Sequence, residues 1–324
     1  MIAALVGLCG AAYLFFRIGF HAIVDAAVSV GWSGFALLCV YGLANFALLG
    51  LAWLVLASPV TPSRAATFCW GRAVRDSAGD VLPFSQFGGM VIGARAVMLR
   101  GISGSEAFGS TIVDITLEMI AQIAFILTGL VILVVQLPGL RALPMMRTAA
   151  LGVLIAIILV ATFVLAQRRG FALLERIARR FLPAAELAAG EFDQAVNRIH
   201  GQPGRMGAGL ALHFAGWLSA AFGTWLALAL IGHPISFWGA IAIESLLCAA
   251  RSAAVFVPAA IGVQEAGYAV MMPLFGLPAD IGIAVSLLKR AREVALGVPV
   301  LLSWQIAEGR RALFPPTLRG RIYD

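Results

Sequence analysis

Long apolar runs separated by short polar connections occupy most of the chain, which is the pattern of a polytopic helical membrane protein. A helix that crosses a bilayer needs about 20 predominantly apolar residues. The runs that we interpret as six full spans are about 2–16, 34–57, 106–136, 148–166, 207–231 and 281–306. Proline punctuation, such as Pro59 and Pro62 after the second run, ends these helices.

Two stretches interrupt this pattern with charges and helix-breaking residues. The first runs from Arg75 through Pro83 to Gly89, and the second runs from Arg251 through Pro258. Breaks of this kind are tolerated at membrane depth only where they are buried in protein or line a wet cavity. We therefore predict two re-entrant hairpins, each made of two short helices that meet at a proline.

A shift of 175 residues brings the special positions of these stretches into register. The matching positions are Ser77-Ala78 with Ser252-Ala253, Pro83 with Pro258, Gly101 with Gly276, and Glu118 with Glu293. Matching Gly/Pro interruptions in two halves indicate a transporter whose site lies near the bilayer midplane. We predict a single integral membrane domain over 1–324, with repeat halves at about 34–136 and 207–306.

The arginine distribution predicts the orientation of these halves. Segment 167–206 is polar and basic with helical apolar spacing, so we assign it to the cytoplasmic membrane surface as a linker. Counting outward places both termini in the cytoplasm and makes the two hairpins enter from opposite sides, which gives an inverted repeat. If 237–257 crosses the membrane completely, the number of spans rises towards eight and the C-terminal tail can change sides.

The overall composition excludes most soluble functions. Of 324 residues, 61% are hydrophobic and 12% are charged, with a mean hydropathy of +0.96, whereas soluble domains carry about 25% charged residues. The net charge of +7 then indicates loops beside anionic lipid rather than nucleic-acid binding.

The four cysteines lack CxxC spacing, the four histidines lie in unrelated segments, and no nucleotide or hydrolase motif occurs. We expect no metal, no cofactor and no enzymatic activity.

Charged residues inside the apolar regions mark the candidate site. Each costs about 2.5–3.5 kcal/mol at the bilayer centre, so they must pair or face water. Asp114 and Glu118 share a helix face, as do Lys289 and Glu293. Either they form salt bridges that fasten helices, or they line a cavity in which arginines bind an anionic or hydroxylated headgroup; we favour the cavity. The predicted substrate-binding residues are Arg75, Asp76, Pro83, Gln86, Asp114, Glu118, Arg251, Pro258, Glu265, Arg292 and Glu293.

These positions predict one geometry. Pro83 and Pro258 should lie at opposing hairpin tips, with Arg75 and Arg251 nearby. The carboxylates of the predicted site should line the space between the tips.

The same motifs carry a family resemblance. They are Pro83-Phe84-Ser85-Gln86-Phe87-Gly88-Gly89, Gly101-Ile102, Asp114 with Glu118, and Pro258 to Glu265 with Arg292. Over about 30–310 the chain resembles the lysylphosphatidylglycerol synthase transmembrane-region family, also called flippase-like, and the nearest subgroup that we suggest is the hopanoid-biosynthesis-associated membrane proteins. One departure is Ala259-Ala260-Ile261, which replaces part of the glycine run usual in the second motif.

The resemblance implies a function in lipid movement. In the best-known relatives a soluble aminoacyl-transfer domain follows the membrane region, and the membrane region moves the modified lipid across the bilayer. The 167–206 linker is too short to hold such a domain, so we expect translocation without transferase activity.

Three hypotheses remain from the sequence. The first is a flippase of a bacterial-type inner membrane that moves a hopanoid, a phospholipid or another polar-headed lipid. The second is an accessory or catalytic subunit of lipid (hopanoid) biosynthesis, with Asp114, Glu118 or Glu265 as acid or base. The third is a structural partner of such enzymes. Association with lipid-biosynthesis enzymes and homo-oligomerisation stay open.

Overall fold

The computed structural model describes residues 20–57, 60–81, 85–136, 196–253 and 262–313. Every element assigned in these ranges is helical, which confirms the all-α prediction. The elements are α1 (Phe20–Ser29), α2 (Gly31–Ala57), α3 (Pro62–Val81), α4 (Ser85–Leu99), α5 (Gly104–Gln136), α6 (Pro203–Ile231), α7 (Phe237–Ala253), α8 (Val263–Met271), a 3₁₀ helix (Met272–Phe275) and α9 (Ala279–Leu313).

Three of these helices are long and apolar enough to cross a membrane. They are α2, α5 and α6, and they match the predicted spans 34–57, 106–136 and 207–231. Helix α9 covers the predicted span 281–306 but carries Lys289 and Arg290, both buried in the protein. The predicted spans 2–16 and 148–166, and the linker up to residue 195, lie outside the described residues.

The first broken unit folds back on itself as an antiparallel pair of helices, α3 and α4. Glycines let the two backbones approach closely, because a Cβ atom at Gly89 would lie 3.2 Å from the backbone nitrogen of Gly79. Four residues further along α4, a Cβ at Gly93 would lie 2.6 Å from Cβ of Arg75. Arg75 is thereby fixed at the centre of this pair. The break itself, residues 82–84, lies outside the described residues.

The second broken unit, α7 and α8, folds back in the same way. A Cβ at Gly267 of α8 would meet the Leu247 side chain of α7, and one at Gly239 would lie 3.2 Å from the Phe275 ring. The break at residues 254–261 lies outside the described residues. In each unit the described helices before and after the break pack against each other, while the re-entrant hairpins and their entry into a membrane from opposite sides stay predictions.

The helix bounds of the two halves repeat with the 175-residue shift found in the sequence. The helix starts that coincide are Pro62 with Phe237 and Gly104 with Ala279. Gly101 and Gly276 follow α4 and the 3₁₀ helix with φ of 91° and 76°, a left-handed conformation that glycine adopts without steric penalty. The repeat therefore extends from the sequence to the element bounds and the turns.

The equivalent helices α2 and α6 pack against each other antiparallel along their lengths. Glycine meets a large side chain at four levels of this interface, at Gly34 with Leu230, Gly223 with Tyr41, Gly216 with Leu49, and Gly209 with Leu56. In addition, α3 packs on α9. Their counterparts at a shift of 175 residues, α7 and α5, also pack on each other. The inverted repeat itself stays a prediction.

Candidate functional site

A cavity of about 210 Å³ lies between the two halves and is bordered by α2, α3, α5, α6, α7 and α9. Its lining is dominated by charged side chains from all of these helices except α2 and α6. The charged residues that line it are Arg72, Arg75, Asp76, Asp80, Glu118, Glu244, Arg251, Lys289, Arg292 and Glu293. They form three groups that differ in how tightly their charges pair.

The first group, the carboxylate–arginine cluster, joins α3 to α5 and consists of Arg72, Arg75, Asp76, Asp114 and Glu118. Arg72 binds both carboxylate oxygens of Glu118, at 2.6 and 3.0 Å. Arg75 donates to Asp114 and to Glu118, each at 2.6 Å, and Arg72 Nε donates to Asp76 at 2.8 Å. The i,i+4 spacing of Asp114 and Glu118 puts both carboxylates on the helix face that these arginines reach.

This cluster is buried and its arginines are fully engaged. The side chains of Arg72 and Arg75 are 4% and 7% exposed. His213 extends the cluster to α6, because its Nε2 lies 2.9 Å from Asp114 Oδ1. Removal of one partner from such a network leaves an uncompensated buried charge. The geometry is therefore that of an internal brace between α3, α5 and α6.

The second group, the Lys289–Glu244 cluster, joins α9 to α7. Lys289 Nζ lies 2.9 Å from both Glu244 oxygens and 2.7 Å from the hydroxyl of Tyr268 on α8. Thr224 of α6 donates to Glu244 at 2.5 Å. All four side chains are buried, so this group is a second internal brace in the other half.

The third group, the loose set, consists of Asp80, Arg251, Arg292 and Glu293. Arg251 Nη2 lies 3.9 Å from Asp80 Oδ1, and Arg292 Nη2 lies 3.7 Å from Glu293 Oε1. These separations exceed hydrogen-bond length. The side chains of Arg251 and Asp80 are 30% and 29% exposed, and the Arg292 guanidinium lies 5.4 Å from the centre of the Tyr41 ring. The loose set therefore has N–H donors and carboxylate oxygens available to an occupant of the cavity.

The structure brings most of the predicted site residues together. Six of them line the cavity, namely Arg75, Asp76, Glu118, Arg251, Arg292 and Glu293. Asp114 is fully buried in contact with Arg75 and His213.

Glu265 lies apart from the cavity lining. Its Oε1 accepts from Arg290 Nε at 2.6 Å, and its Oε2 accepts the Gly262 N–H at 2.7 Å. It thus holds the start of α8, where a carboxylate is favoured by the free backbone N–H groups. The structure places Glu265 outside the cavity lining, and a substrate-binding role for it stays a prediction.

Three of the predicted residues fall outside what the structure describes. They are Pro83, Pro258 and the side chain of Gln86. The predicted meeting of the two prolines therefore stays a prediction. Two residues close to the breaks do approach each other, since Asp80 and Arg251 form the long ion pair given above.

Sequence reasoning left four charged residues and one histidine of the cavity lining out of the predicted set. They are Arg72, Asp80, His213, Glu244 and Lys289. Arg72 has a local signal in its i,i+4 spacing to Asp76. His213 has no local sequence signal, because its partner Asp114 is 99 positions away in the chain.

The family assignment rests on nearly the whole chain. The Lysylphosphatidylglycerol synthase TM region family matches residues 1–300. The chain belongs to this family. This family member is accordingly a membrane protein of a lipid-related class, which confirms the resemblance found in its motifs. Comparison with curated proteins and with solved structures gives no match.

Proposed function

We propose that this protein is a lipid flippase, which moves a polar-headed lipid between membrane leaflets with the headgroup in the central cavity. The observation that carries the proposal is the loose set. Two arginines whose carboxylate partners lie beyond hydrogen-bond length are placed in a cavity between apolar helices. Arginine suits a phosphate headgroup because its planar fork donates two parallel hydrogen bonds.

Unsatisfied polar atoms on the cavity wall support a polar occupant. Asn45 Oδ1, Ser77 Oγ and His213 Nδ1 are buried and have no hydrogen-bond partner within the described residues, and all three residues line the cavity. Buried polar groups in proteins are nearly always satisfied by protein or by ordered water. A hydroxylated or phosphate headgroup, together with water, would supply the missing partners.

The cavity volume supports the entry of a headgroup rather than a whole lipid. A volume of about 210 Å³ is smaller than the roughly 300–1,000 Å³ of pockets that enclose drug-sized ligands. The acyl chains would therefore stay in the surrounding bilayer while the headgroup crosses through the protein.

The antiparallel packing of α2 and α6 supports an alternating-access mechanism. In inverted-repeat transporters the site lies between two halves, which rock about it to face each side in turn. Here the loose set draws residues from α3 in one half and from α7 and α9 in the other. Rocking of the halves would open and close the cavity at this contact.

Charged residues near the starts of α3 and α5 and the ends of α4 and α9 form one charged end of the molecule. This end supports an orientation in which it faces the cytoplasm of a bacterial-type inner membrane. Arg64 and Glu106 form an ion pair that joins the starts of α3 and α5. Arg95 and Glu308 join α4 to the end of α9 at 2.8 Å. Positive residues favour the cytoplasmic side, and the loops at 58–64 and 95–106 would lie there with both termini.

Leaflet exchange in vesicles tests the proposal. The purified full chain is reconstituted in phosphatidylcholine vesicles with a trace of fluorophore-labelled phosphatidylglycerol, and dithionite bleaches the outer leaflet. Bleaching of the inner-leaflet label in intact vesicles would support the flippase, and Arg251→Gln should slow it whereas Arg95→Gln should not.

The same vesicles test the alternative of a subunit of lipid biosynthesis. Their lipids, including added hopanoid and phospholipid, are analysed by mass spectrometry. Conversion of a lipid without any leaflet exchange would contradict the flippase and favour a catalytic subunit. Absence of both would favour the accessory or structural role.

A further inference from the structure

The charges around the cavity do not balance. Lys289 balances Glu244, and the loose set contains two arginines and two carboxylates. The carboxylate–arginine cluster contains three carboxylates and two arginines. With every carboxylate ionised, this cluster therefore carries one negative charge in excess, on side chains that are buried or only partly exposed. Burial of an uncompensated charge is strongly unfavourable.

His213 is placed to remove this excess. Its side chain is 0% exposed and its Nε2 lies 2.9 Å from Asp114 Oδ1. With the hydrogen of the neutral ring on Nε2, that nitrogen donates to Asp114, and Nδ1 keeps a free lone pair. Nδ1 is buried without a partner in the described part of the chain, on a residue that lines the cavity. A proton taken up at Nδ1 makes the ring cationic and the cluster neutral.

We propose that His213 is a proton-binding site on the cavity wall and that the protein moves one proton together with each lipid. The inference rests on the flippase function proposed above and names its energy source. The proposal stands on the unpartnered Nδ1 atom at the cavity wall and on the contact of Nε2 with Asp114.

A phosphate headgroup links the proton to the lipid. Protonated Nδ1 is a donor without a partner, and a phosphate oxygen in the cavity accepts its hydrogen bond. Binding of the proton and binding of the lipid then favour each other by the same factor. The proton bound on one side leaves Nδ1 when the headgroup leaves on the other side. A monoanionic headgroup and one proton cross together, so no net charge moves.

The other charged groups near His213 are already engaged. Helix α6 packs against α2, α5, α7 and α9. The charged and titratable groups that these helices and α3 bring to the cavity wall or to His213 are Asp114, Glu118, Glu244, Lys289, Tyr41, the four members of the loose set, and Arg72, Arg75 and Asp76 of the cluster. Tyr41 donates to the carbonyl of Ser219 at 2.6 Å. The competing proton carriers are two carboxylates that line the cavity, Asp76 of the carboxylate–arginine cluster and Asp80 of the loose set.

A pH gradient across the vesicles described above tests the coupling. The wild-type exchange rate in the direction of proton entry should rise by up to about tenfold per pH unit of gradient. This is the largest effect that coupling to one proton can give. His213→Gln keeps an N–H donor for Asp114 but cannot be protonated, so its exchange should not respond to the gradient. His200→Gln is the matched control, because His200 is exposed and bonds the carbonyl of Val196.

The outcomes separate the two proposals. No exchange by the wild type would overturn both of them. An exchange rate that does not depend on the pH gradient would overturn proton coupling but would not contradict the flippase function. A gradient response that survives in His213→Gln, or that is lost in Asp80→Asn, would overturn the assignment to His213.

A measurement without substitution of His213 covers the case in which His213→Gln does not fold. The variant with His21, His200 and His233 all replaced by glutamine retains one histidine, and ¹⁵N labelling then reports only on that ring. Addition of phosphatidylglycerol should shift Nδ1 towards its protonated form. An unchanged spectrum in a sample that exchanges lipid would overturn the proposal.

Discussion

The carboxylate–arginine cluster and the loose set line the same cavity, but they pair their charges differently. In the cluster, Arg75 lies 2.6 Å from each of two carboxylates and is almost completely buried. In the loose set, Arg251 lies 3.9 Å from its partner and is partly exposed. The difference shows that charge at membrane depth does not by itself define a binding site. The quality of pairing separates a structural brace from a group that can bind a ligand.

Arg75→Met should produce the largest effect and should act on stability. It leaves Asp114 and Glu118 without one of their cations, and breaking a buried pair costs about 3–5 kcal/mol. We expect a large fall in the unfolding midpoint in detergent and a low yield of folded protein. Arg251→Met is the matched control and should cost less than about 1 kcal/mol, as for partly exposed pairs. Equal destabilisation by both would erase the distinction between the groups.

Lys289→Met should be nearly as destabilising, because it leaves Glu244 buried and unpaired. The double substitution Lys289→Met and Glu244→Leu should recover most of the loss, since a buried ion pair replaced by apolar residues is often neutral or stabilising. Thermal unfolding of the two variants checks this. A double variant as unstable as the single variant would contradict the assignment of the Lys289–Glu244 cluster as a structural ion pair alone.

Arg292→Gln should mainly affect transport. Loss of a charge-assisted hydrogen bond to a headgroup costs about 1.5–3 kcal/mol, so the exchange rate should fall by about 10- to 100-fold. The unfolding midpoint should change little, because the nearest carboxylate oxygen of Glu293 lies 3.7 Å from the Arg292 guanidinium, beyond hydrogen-bond length. Exchange at the wild-type rate would show that Arg292 does not contact the headgroup.

Arg95→Gln should have the smallest effect. Its ion pair with Glu308 is at the charged end of the molecule, where both side chains are more than a third exposed. Exposed pairs contribute about 0–1 kcal/mol, so stability and exchange should both stay close to wild type. A marked loss of exchange would extend the functional region beyond the cavity.

The fold could be predicted largely from the sequence, because its signals are local. Apolar length predicts the spans, and glycine marks the turns at Gly101 and Gly276. The helix starts also repeat with the 175-residue shift, because the two halves meet the same packing requirements. Helix α9 was predicted over 281–306, and the structure extends it to Leu313.

The candidate site could be predicted only in part, because pairing depends on long-range packing. The sequence marks Arg75 and Arg251 alike as intramembrane arginines. Only the fold shows that α5 engages one of them closely, whereas the other meets Asp80 at a distance. In the same way, the position of His213 beside Asp114 follows from the packing of α6 on α5.

The most direct test of the central claim is leaflet exchange by the double variant Arg251→Gln and Arg292→Gln, measured with its unfolding midpoint on the same preparation. We predict that exchange of labelled phosphatidylglycerol falls to the rate of protein-free vesicles while the midpoint stays close to that of Arg95→Gln. Exchange at the wild-type rate by the folded double variant would contradict the assignment of the loose set as the headgroup site.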